Sequence, residues 1–234
     1  MACLMAAGSL SAQWGKKVRG NGNVTTETRN VGDYDAISIS NAFTVYLVDG
    51  AEGQLSLEGE ENLLEYVVTE VRGDRLYIKF RKGVQLSASR NSEGLKVRVP
   101  VSEISAIDVS GACGVIGETR LKSNRFKASM SGASNARLEL ETGDLEAELS
   151  GASNLKLSGR AGSFRIQGSG ASDLNAYELE TDSVDAEISG SADAEVQVRQ
   201  QLKANVSGAG DLKYRGNPEK MESKASGAGN VRKS

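Results

Sequence analysis

Residues 185–218, DAEISGSADAEVQVRQQLKANVSGAGDLKYRGNP, contain nearly the same pattern twice. Each copy has a short apolar alternation, then Ser-Gly, two small residues and Asp, then a second alternation. The Ser-Gly pair recurs at intervals of 18 to 21 residues, beginning at Ser110, Ser131, Ser150, Ser169, Ser189, Ser207 and Ser226. A period of about 20 residues is typical of solenoid proteins, in which each repeat forms one coil.

Apolar residues alternate with polar ones on both sides of each serine, and a spacing of two is that of a β-strand with one buried face. Each repeat is therefore predicted to contain two short strands and two turns. The predicted inward positions before the turn are Phe126, Ala128, Met130, Leu145, Ala147, Leu149, Phe164, Ile166, Gly168, Val184, Ala186, Ile188, Leu202, Ala204 and Val206. Those after the turn are Ala136, Leu138, Leu155, Leu157, Leu174, Ala176, Ala194, Val196, Leu212 and Tyr214.

The polar positions predict how the coils stack. Four residues before each serine the charge alternates in sign through six repeats, as Lys127, Glu146, Arg165, Asp185, Lys203 and Glu222. Parallel, in-register stacking would place these side chains about 4.8 Å apart, where opposite charges attract. We therefore predict an all-β fold, a right-handed parallel β-helix with coils of about 19 residues. The right hand is favoured because a left-handed β-helix shows a strict six-residue apolar period, which is absent.

The N-terminal half repeats less regularly, and we predict longer, irregular coils at residues 18–104 before the regular SGAxN/D repeats at residues 105–234. Residues 36–50 resemble residues 105–118, so stacking is expected to begin there. Gly73-Asp74 indicates a hairpin-like turn, residues 60–66 one helical turn, residues 85–94 a loop, and Pro100 an edge or strand end. Without a recognisable linker, residues 18–233 are predicted to form a single domain.

Composition excludes several classes of site. The 234 residues contain no histidine, which rules out Ser-His-Asp and Cys-His nucleophile systems and imidazole metal sites. A formal net charge of -3 with well-mixed signs gives no basic footprint for nucleic acid. The cysteines are Cys3 and Cys113, so removal of a leader would leave no disulfide framework.

Residues 1–12, MACLMAAGSLSA, resemble the apolar region and cleavage end of a secretory signal, although a positive n-region is missing. The segment is too short to span a bilayer. Cys3 is interpreted as a leader cysteine rather than a lipid-attachment site, because residues 4–7 after it are apolar. The sequence thus predicts an exported protein without a transmembrane span, in the periplasm, at the cell surface or secreted.

Several motifs carry a family resemblance in order along the chain. They are GNGNVTTETRNVGDYDAISISNAFTVYLVDG, GEENLLEYVVTEVRGDRLYIKFRKG, serial SGASN and SGAGD, and YRGNPEKMESKASGAGNVRK. Together, over residues 18–233, they resemble the "putative auto-transporter adhesin, head GIN domain" family. The resemblance implies an exported bacterial protein with a pectate-lyase-like right-handed β-helix. It implies no catalytic or ligand-binding residue, and Cys113-Gly114 departs from the Ser-Asn or Ser-Asp of later turns.

Two sets of polar residues were weighed as sites. The turn column is Gly114, Asn135, Asn154, Asp173, Asp193, Asp211 and Asn230, and it supplies too few oxygens for calcium. We interpret its residues as turn residues that tolerate a left-handed backbone and bond to their own turn, with the glycine supplying the positive φ. Carboxylates on one predicted outer face are Glu146, Glu148, Asp185 and Glu187, but Arg165 lies between them, which indicates charge rows rather than an acid/base pair.

Among the aromatic residues, only Tyr177 is predicted to point outward in the regular coils, which makes a sugar-stacking platform hard to build. We predict no catalytic, cofactor-binding or metal site. The expected function is non-enzymatic, adhesin-like binding of an unidentified glycan or protein on an outer face. A polysaccharide-active β-helix enzyme and a structural spacer without a specific ligand remain the alternatives.

Overall fold

The computed structural model describes residues 15–90 and 92–234. The predicted leader at residues 1–12, with Cys3, lies outside the described residues. The N-terminal elements are β1 (Lys16–Arg19), β2 (Val24–Asn30), β3 (Ala36–Ile39), β4 (Thr44–Asp49), β5 (Gln54–Glu60), α1 (Glu61–Leu64), β6 (Val67–Arg72), β7 (Arg75–Phe80), β8 (Val84–Ser87) and β9 (Lys96–Val101). The remaining strands are β10 (Ala106–Val109), β11 (Gly114–Met130), β12 (Asn135–Leu149), β13 (Asn154–Gly168), β14 (Asp173–Ile188), β15 (Asp193–Gly208), β16 (Asp211–Arg215), β17 (Lys220–Gly227) and β18 (Asn230–Lys233).

The C-terminal half is a parallel β-solenoid, as predicted. Strands β11 to β15 each form one coil and pair in parallel with their neighbours in chain order. The predicted charge row is in register at every step, from Lys127 opposite Glu146 to Lys203 opposite Glu222. The row forms ion pairs at Lys127–Glu146, 3.6 Å, and at Lys203–Asp185, 3.2 Å.

The prediction of two separate strands per coil is wrong. Each of β11 to β15 is a continuous strand of 15 to 17 residues that bends at its middle. The hydrogen-bond ladder continues through this bend because each corner lies on the equivalent corner of the next coil, with register shifts such as that between Ile116 and Arg120. The Ser-Gly corner is therefore the one place in each of these coils where the strand stops.

The predicted core positions are buried, with one exception. Every residue predicted to point inward in the regular coils is buried except Tyr214, which is half-buried against the core. A further buried set at the bend, including Leu121, Leu140 and Leu179, was not predicted because the apolar alternation changes phase there. The buried apolar residues form one continuous cluster from Tyr34 to Leu212.

The N-terminal coils stack in an order that differs from chain order. The predicted likeness between residues 36–50 and 105–118 is confirmed, since β3 pairs with β10 and β4 with β11. Stacking does not begin there, however, because β7 pairs in parallel with the other edge of β3, and β9 with the other edge of β4. A later segment of the chain thus forms the coil below an earlier one.

Antiparallel strands cover the N-terminal end of the solenoid. Strand β2 pairs with β5, β5 with β9, and β6 with β7. The predicted turn at Gly73 is confirmed with φ +63, and α1 supplies the predicted helical turn. The predicted loop at 85–94 is partly wrong, because its first residues belong to β8, which pairs with β1. Pro100 lies beyond Arg98, where the pairing of β9 with β5 ends, so its predicted edge position is confirmed.

Candidate functional site: a serine-lined groove

The Ser-Gly corner is a consequence of coil stacking. Gly151 has φ +74, and a Cβ there would lie 2.6 Å from the carbonyl oxygen of Gly132 in the preceding coil. The backbone N–H of Ala152 donates to that same oxygen at 2.8 Å. Only glycine combines a left-handed backbone with so close an approach between coils. A positive φ recurs at the equivalent position of the other corners. The residues are Gly111, Gly132, Gly170, Gly190, Gly208 and Gly227, and Asn41 in the related segment at residues 36–50.

Serine side chains three residues after the corner serine fill the inside of the turn. Ser134, Ser153 and Ser172 are fully buried or nearly so, with exposures of 0%, 0% and 1%. Each Oγ donates to the carbonyl oxygen of its own corner serine, at 3.1, 3.0 and 3.0 Å. Cys113 replaces this serine in an earlier coil, and its Sγ lies 3.3 Å from the carbonyl oxygen of Ser110. Burial raises the pKa of the Cys113 thiol.

The asparagine and aspartate column bonds between coils. Asn154 Nδ2 donates to Asn135 Oδ1 at 3.0 Å, and the Asp211 amide to Asp193 Oδ1 at 2.7 Å. The prediction that glycine supplies the positive φ is confirmed, since among described residues Asn41 alone, outside the column, is a non-glycine with positive φ. Glycine already turns the chain one position after the serine. No group of three or more acidic or cysteine side chains suited to a metal occurs within residues 15–90 and 92–234.

A groove runs along the solenoid beside this corner, with a volume of about 1100 Å³. Two rows of side chains line it, with one residue of each row in each regular coil. One row consists of the corner serines, and the other of the outward residues two positions before them. The outward row reads Ser38, Asp108, Ser129, Glu148, Gln167, Glu187, Asn205 and Lys224, and the serine row runs from Ser110 to Ser226. We call this the serine-lined groove.

The serine hydroxyls of the groove have a common orientation. Ser150 Oγ lies 3.3 Å from the carbonyl oxygen of Met130, and Ser169 Oγ 3.2 Å from that of Leu149. Ser189 Oγ makes the same contact to Gly168 at 3.2 Å. Because each hydroxyl donates its proton to the preceding coil, its oxygen lone pairs remain for an incoming donor. The groove therefore presents a row of hydrogen-bond acceptors at one-coil spacing.

The two halves of the groove differ in electrostatics. In the half nearer the N-terminus, Asp108 pairs with Arg75, and Glu148 binds Lys127 at 2.6 Å. The hydrogen bond from Lys127 holds the pKa of Glu148 below its ordinary value. In the other half, Gln167 and Glu187 are exposed. This half offers an amide and a carboxylate to solvent in successive coils, and the exposed Lys224 adds an ammonium group at its end.

Of the carboxylates singled out in the sequence, Glu146 and Glu148 both contact Lys127, at 3.6 and 2.6 Å. Glu148 and Glu187 lie in the groove row, with Gln167 in the coil between them, whereas Glu146 and Asp185 lie in the charge row beside it. Arg165 separates the second pair, as predicted. The arrangement consists of parallel rows of polar side chains rather than two carboxyl groups facing one reacting bond.

Tyr177, predicted to point outward, has no free ring face for stacking. The guanidinium of Arg215 covers its ring at 3.9 Å from the ring centroid, and its hydroxyl is buried without a hydrogen-bond partner in the described part of the chain. Its ring face is thus already occupied by a side chain of the protein. The groove residues Ser38, Gln167 and Asn205 were not singled out from the sequence. The signal that would have found them is a polar residue two positions before every corner.

Comparison with solved structures identifies the same fold in several bacterial proteins. A putative adhesin from Bacteroides fragilis is 19% identical with a TM-score of 0.84, covering 93% of this chain and 100% of that one. A putative lipid binding protein from Parabacteroides distasonis is 23% identical with a TM-score of 0.74, covering 94% and 100%. A putative adhesin from Parabacteroides merdae is 20% identical with a TM-score of 0.71, covering 94% and 99%.

The sequence comparisons give the family. No curated protein matches the chain. No helix of the described part has the length and hydropathy needed to cross a bilayer. Residues 33–218, most of the chain, match the family described as "Putative auto-transporter adhesin, head GIN domain". The chain, a parallel solenoid with a Ser-Gly corner in each regular coil, belongs to that family.

Proposed function

We propose that this protein is an exported, non-enzymatic component of the cell envelope that binds an extended glycan or protein segment along the serine-lined groove. The observation that carries the proposal is the groove itself, which is long and carries two periodic rows of polar side chains with apolar residues between them. A linear ligand with its own repeat meets equivalent hydrogen-bond partners in successive coils. Solenoids in general use such extended surfaces for binding.

The surroundings of the groove support binding over catalysis. Its carboxylates are paired, as in Asp108–Arg75 and Glu148–Lys127, or stand alone, as in Glu187. A glycosidase needs two carboxyl groups facing one bond, one of them with a raised pKa. The shifted carboxyl in the groove, Glu148, has a lowered pKa instead. We extend the proposal to a leader at residues 1–12 and a single solenoid domain at residues 18–233.

The experiment is a pair of arrays, one of glycans and one of extracellular proteins, probed with the chain and two double variants. Gln167→Ala/Glu187→Ala removes the exposed amide and carboxylate of the groove. Glu180→Ala/Gln201→Ala removes the same chemistry from exposed positions outside the groove. We expect saturable binding that falls at least about tenfold in the groove variant and stays within about twofold in the control.

Three results would contradict the proposal. Equal loss in both double variants would show that the groove is not the binding surface. Two blank arrays would favour a spacer without a specific ligand. Release of reducing or unsaturated sugar ends from an envelope polysaccharide by the purified chain would show an enzyme.

A further inference from the structure

The last coil of the solenoid ends in an uncovered strand. Strand β17 pairs with β15 on one edge and has no partner on the other among the described residues. All of its residues are exposed. Met221, which continues the column of the fully buried Leu202, is 43% exposed. The N-terminal end differs, because antiparallel strands cover it.

The backbone polarity of β17 can be read from the coils below it. In the regular coils the corner serine donates its N–H to the preceding coil, as Ser131 does to Val109 and Ser150 to Met130. In a parallel ladder alternate residues bond to opposite neighbours. Ser226 occupies the corner position of β17, so the groups directed at the free edge belong to Met221, Ser223 and Ala225. These three residues carry the donors and acceptors that a further strand would use.

We propose that a second copy of this chain pairs with this edge, β17 against β17 in antiparallel orientation, about a twofold axis at Ser223. Two identical ends can meet in this way as a closed dimer, since a twofold interface uses the same surface on both subunits. With Ser223 opposite its own copy, Met221 faces Ala225 and exchanges backbone hydrogen bonds with it. The large Met221 side chain meets the small Ala225, which continues the core across the axis.

The charges of β17 select this register over its neighbours. Its outward residues are Lys220, Glu222 and Lys224. With Ser223 on the axis, Glu222 of each copy lies opposite Lys224 of the other, at the closer, non-hydrogen-bonded type of pair. A shift by one register step either way places Glu222 against Glu222 or Lys224 against Lys224. Lysines on an edge strand usually oppose pairing with another strand. Here Glu222 pairs with Lys224 of the other copy only when Ser223 lies on the axis.

The test uses two single variants that cannot pair with themselves. Glu222→Lys makes the outward row entirely positive, and Lys224→Glu gives adjacent carboxylates, so each homodimer has two like-charge contacts. Mixed together, the variants regain two opposite-charge pairs. Lys220→Glu is the control, because Lys220 faces the uncharged Ser226 of the second copy in the proposed register.

The measurement is sedimentation velocity of the chain over about 1 to 500 μM, a range that covers weak association. We expect the unmodified chain and Lys220→Glu to form dimers and no larger species. Each of the other variants alone should dimerise at least about tenfold more weakly, and their equimolar mixture should recover dimer. Because recovery requires both variants to be folded, misfolding cannot imitate it.

Four results would overturn the inference. The unmodified chain remaining monomeric over the whole range would leave the edge for another protein or for none. Species that grow beyond the dimer with concentration would indicate head-to-tail stacking. Dimer loss in Lys220→Glu would contradict the register, and failure of the mixture to recover dimer would contradict the charge match.

Discussion

Substitution of Gly151 by alanine tests the physical origin of the repeated corner. The new Cβ would meet two penalties at once, a left-handed backbone at φ +74 and a distance of 2.6 Å to the carbonyl oxygen of Gly132. The left-handed conformation costs alanine about 1–2 kcal/mol. Relief of the clash moves the coils apart at the Ala152–Gly132 hydrogen bond, now 2.8 Å, which costs about 1 kcal/mol more. We expect a total loss of about 2–3 kcal/mol in the free energy of unfolding.

Two other glycines separate these contributions. Gly73 has φ +63 with open space around its Cβ position, so Gly73→Ala measures the backbone penalty alone. Gly114 has open space and no positive φ, so Gly114→Ala serves as the matched strand control. We expect losses of about 1–2 kcal/mol for Gly73→Ala and near zero or a slight gain for Gly114→Ala.

The assay is equilibrium urea unfolding followed by circular dichroism, with the three variants and the unmodified chain measured side by side. Gly151→Ala should have the lowest midpoint. If its loss equals that of Gly73→Ala, close contact between coils is not a reason for the glycine. If it equals that of Gly114→Ala, the account of the corner is wrong altogether.

Three further outcomes follow from the charge rows and the buried thiol. Glu146→Lys, which puts three like charges in register with Lys127 and Arg165, should lower stability by about 0.5–1 kcal/mol, more at low salt. Combined with Arg165→Glu, which on its own faces Glu146 and Asp185, the loss should be much smaller than the sum of the two single losses, because the two new side chains attract each other; additive losses would contradict the register. The hydrogen bond from Lys127 lowers the pKa of Glu148 from 4.5, so the contribution of Glu148 to stability is present above pH 4.5 and is lost as the pH falls through the folded pKa. In urea unfolding at a series of pH values, Glu148→Gln should reduce the fall in the free energy of unfolding below pH 4.5. An unchanged fall would refute the Lys127–Glu148 interaction as its cause. Cys113 is 1% exposed with a raised thiol pKa, so in a Cys3→Ser variant a thiol reagent at pH 8 should label it at the rate of unfolding, and fast labelling of Cys113 in the folded chain would contradict its burial.

The regular coils were predictable in detail because their signals are local. A spacing of two between apolar residues assigns the inward face, and the recurrence of Ser-Gly assigns the coil length. The alternating charges from Lys127 to Glu222 then assign which residue lies on which, and the observed register agrees at each step. The hand of the coil stays a prediction.

The predictions that proved wrong concern residues whose contacts lie in other coils. The bend in the middle of each coil was predicted as a break, since a change of phase in one strand does not reveal that its neighbour bends at the same place. Tyr177 was expected at the surface, but Arg215, 38 positions later, lies over its ring. The asparagine and aspartate column was assigned to local turns, whereas its bonds, such as Asn154 to Asn135, join separate coils.

The sequence by itself determined the solenoid, its coil length, its inward residues and its stacking register, because strand period and repeat spacing act between near neighbours or between equivalent positions. Only the tertiary structure decided three things: the insertion of β3 and β4 between a later coil and the regular coils, the serine-lined groove, and the uncovered edge of β17. Each depends on which strand edges meet in space. Segments far apart in the chain compete to pair with those edges, and the free energy of each pairing depends on both segments, so it cannot be read from either one alone.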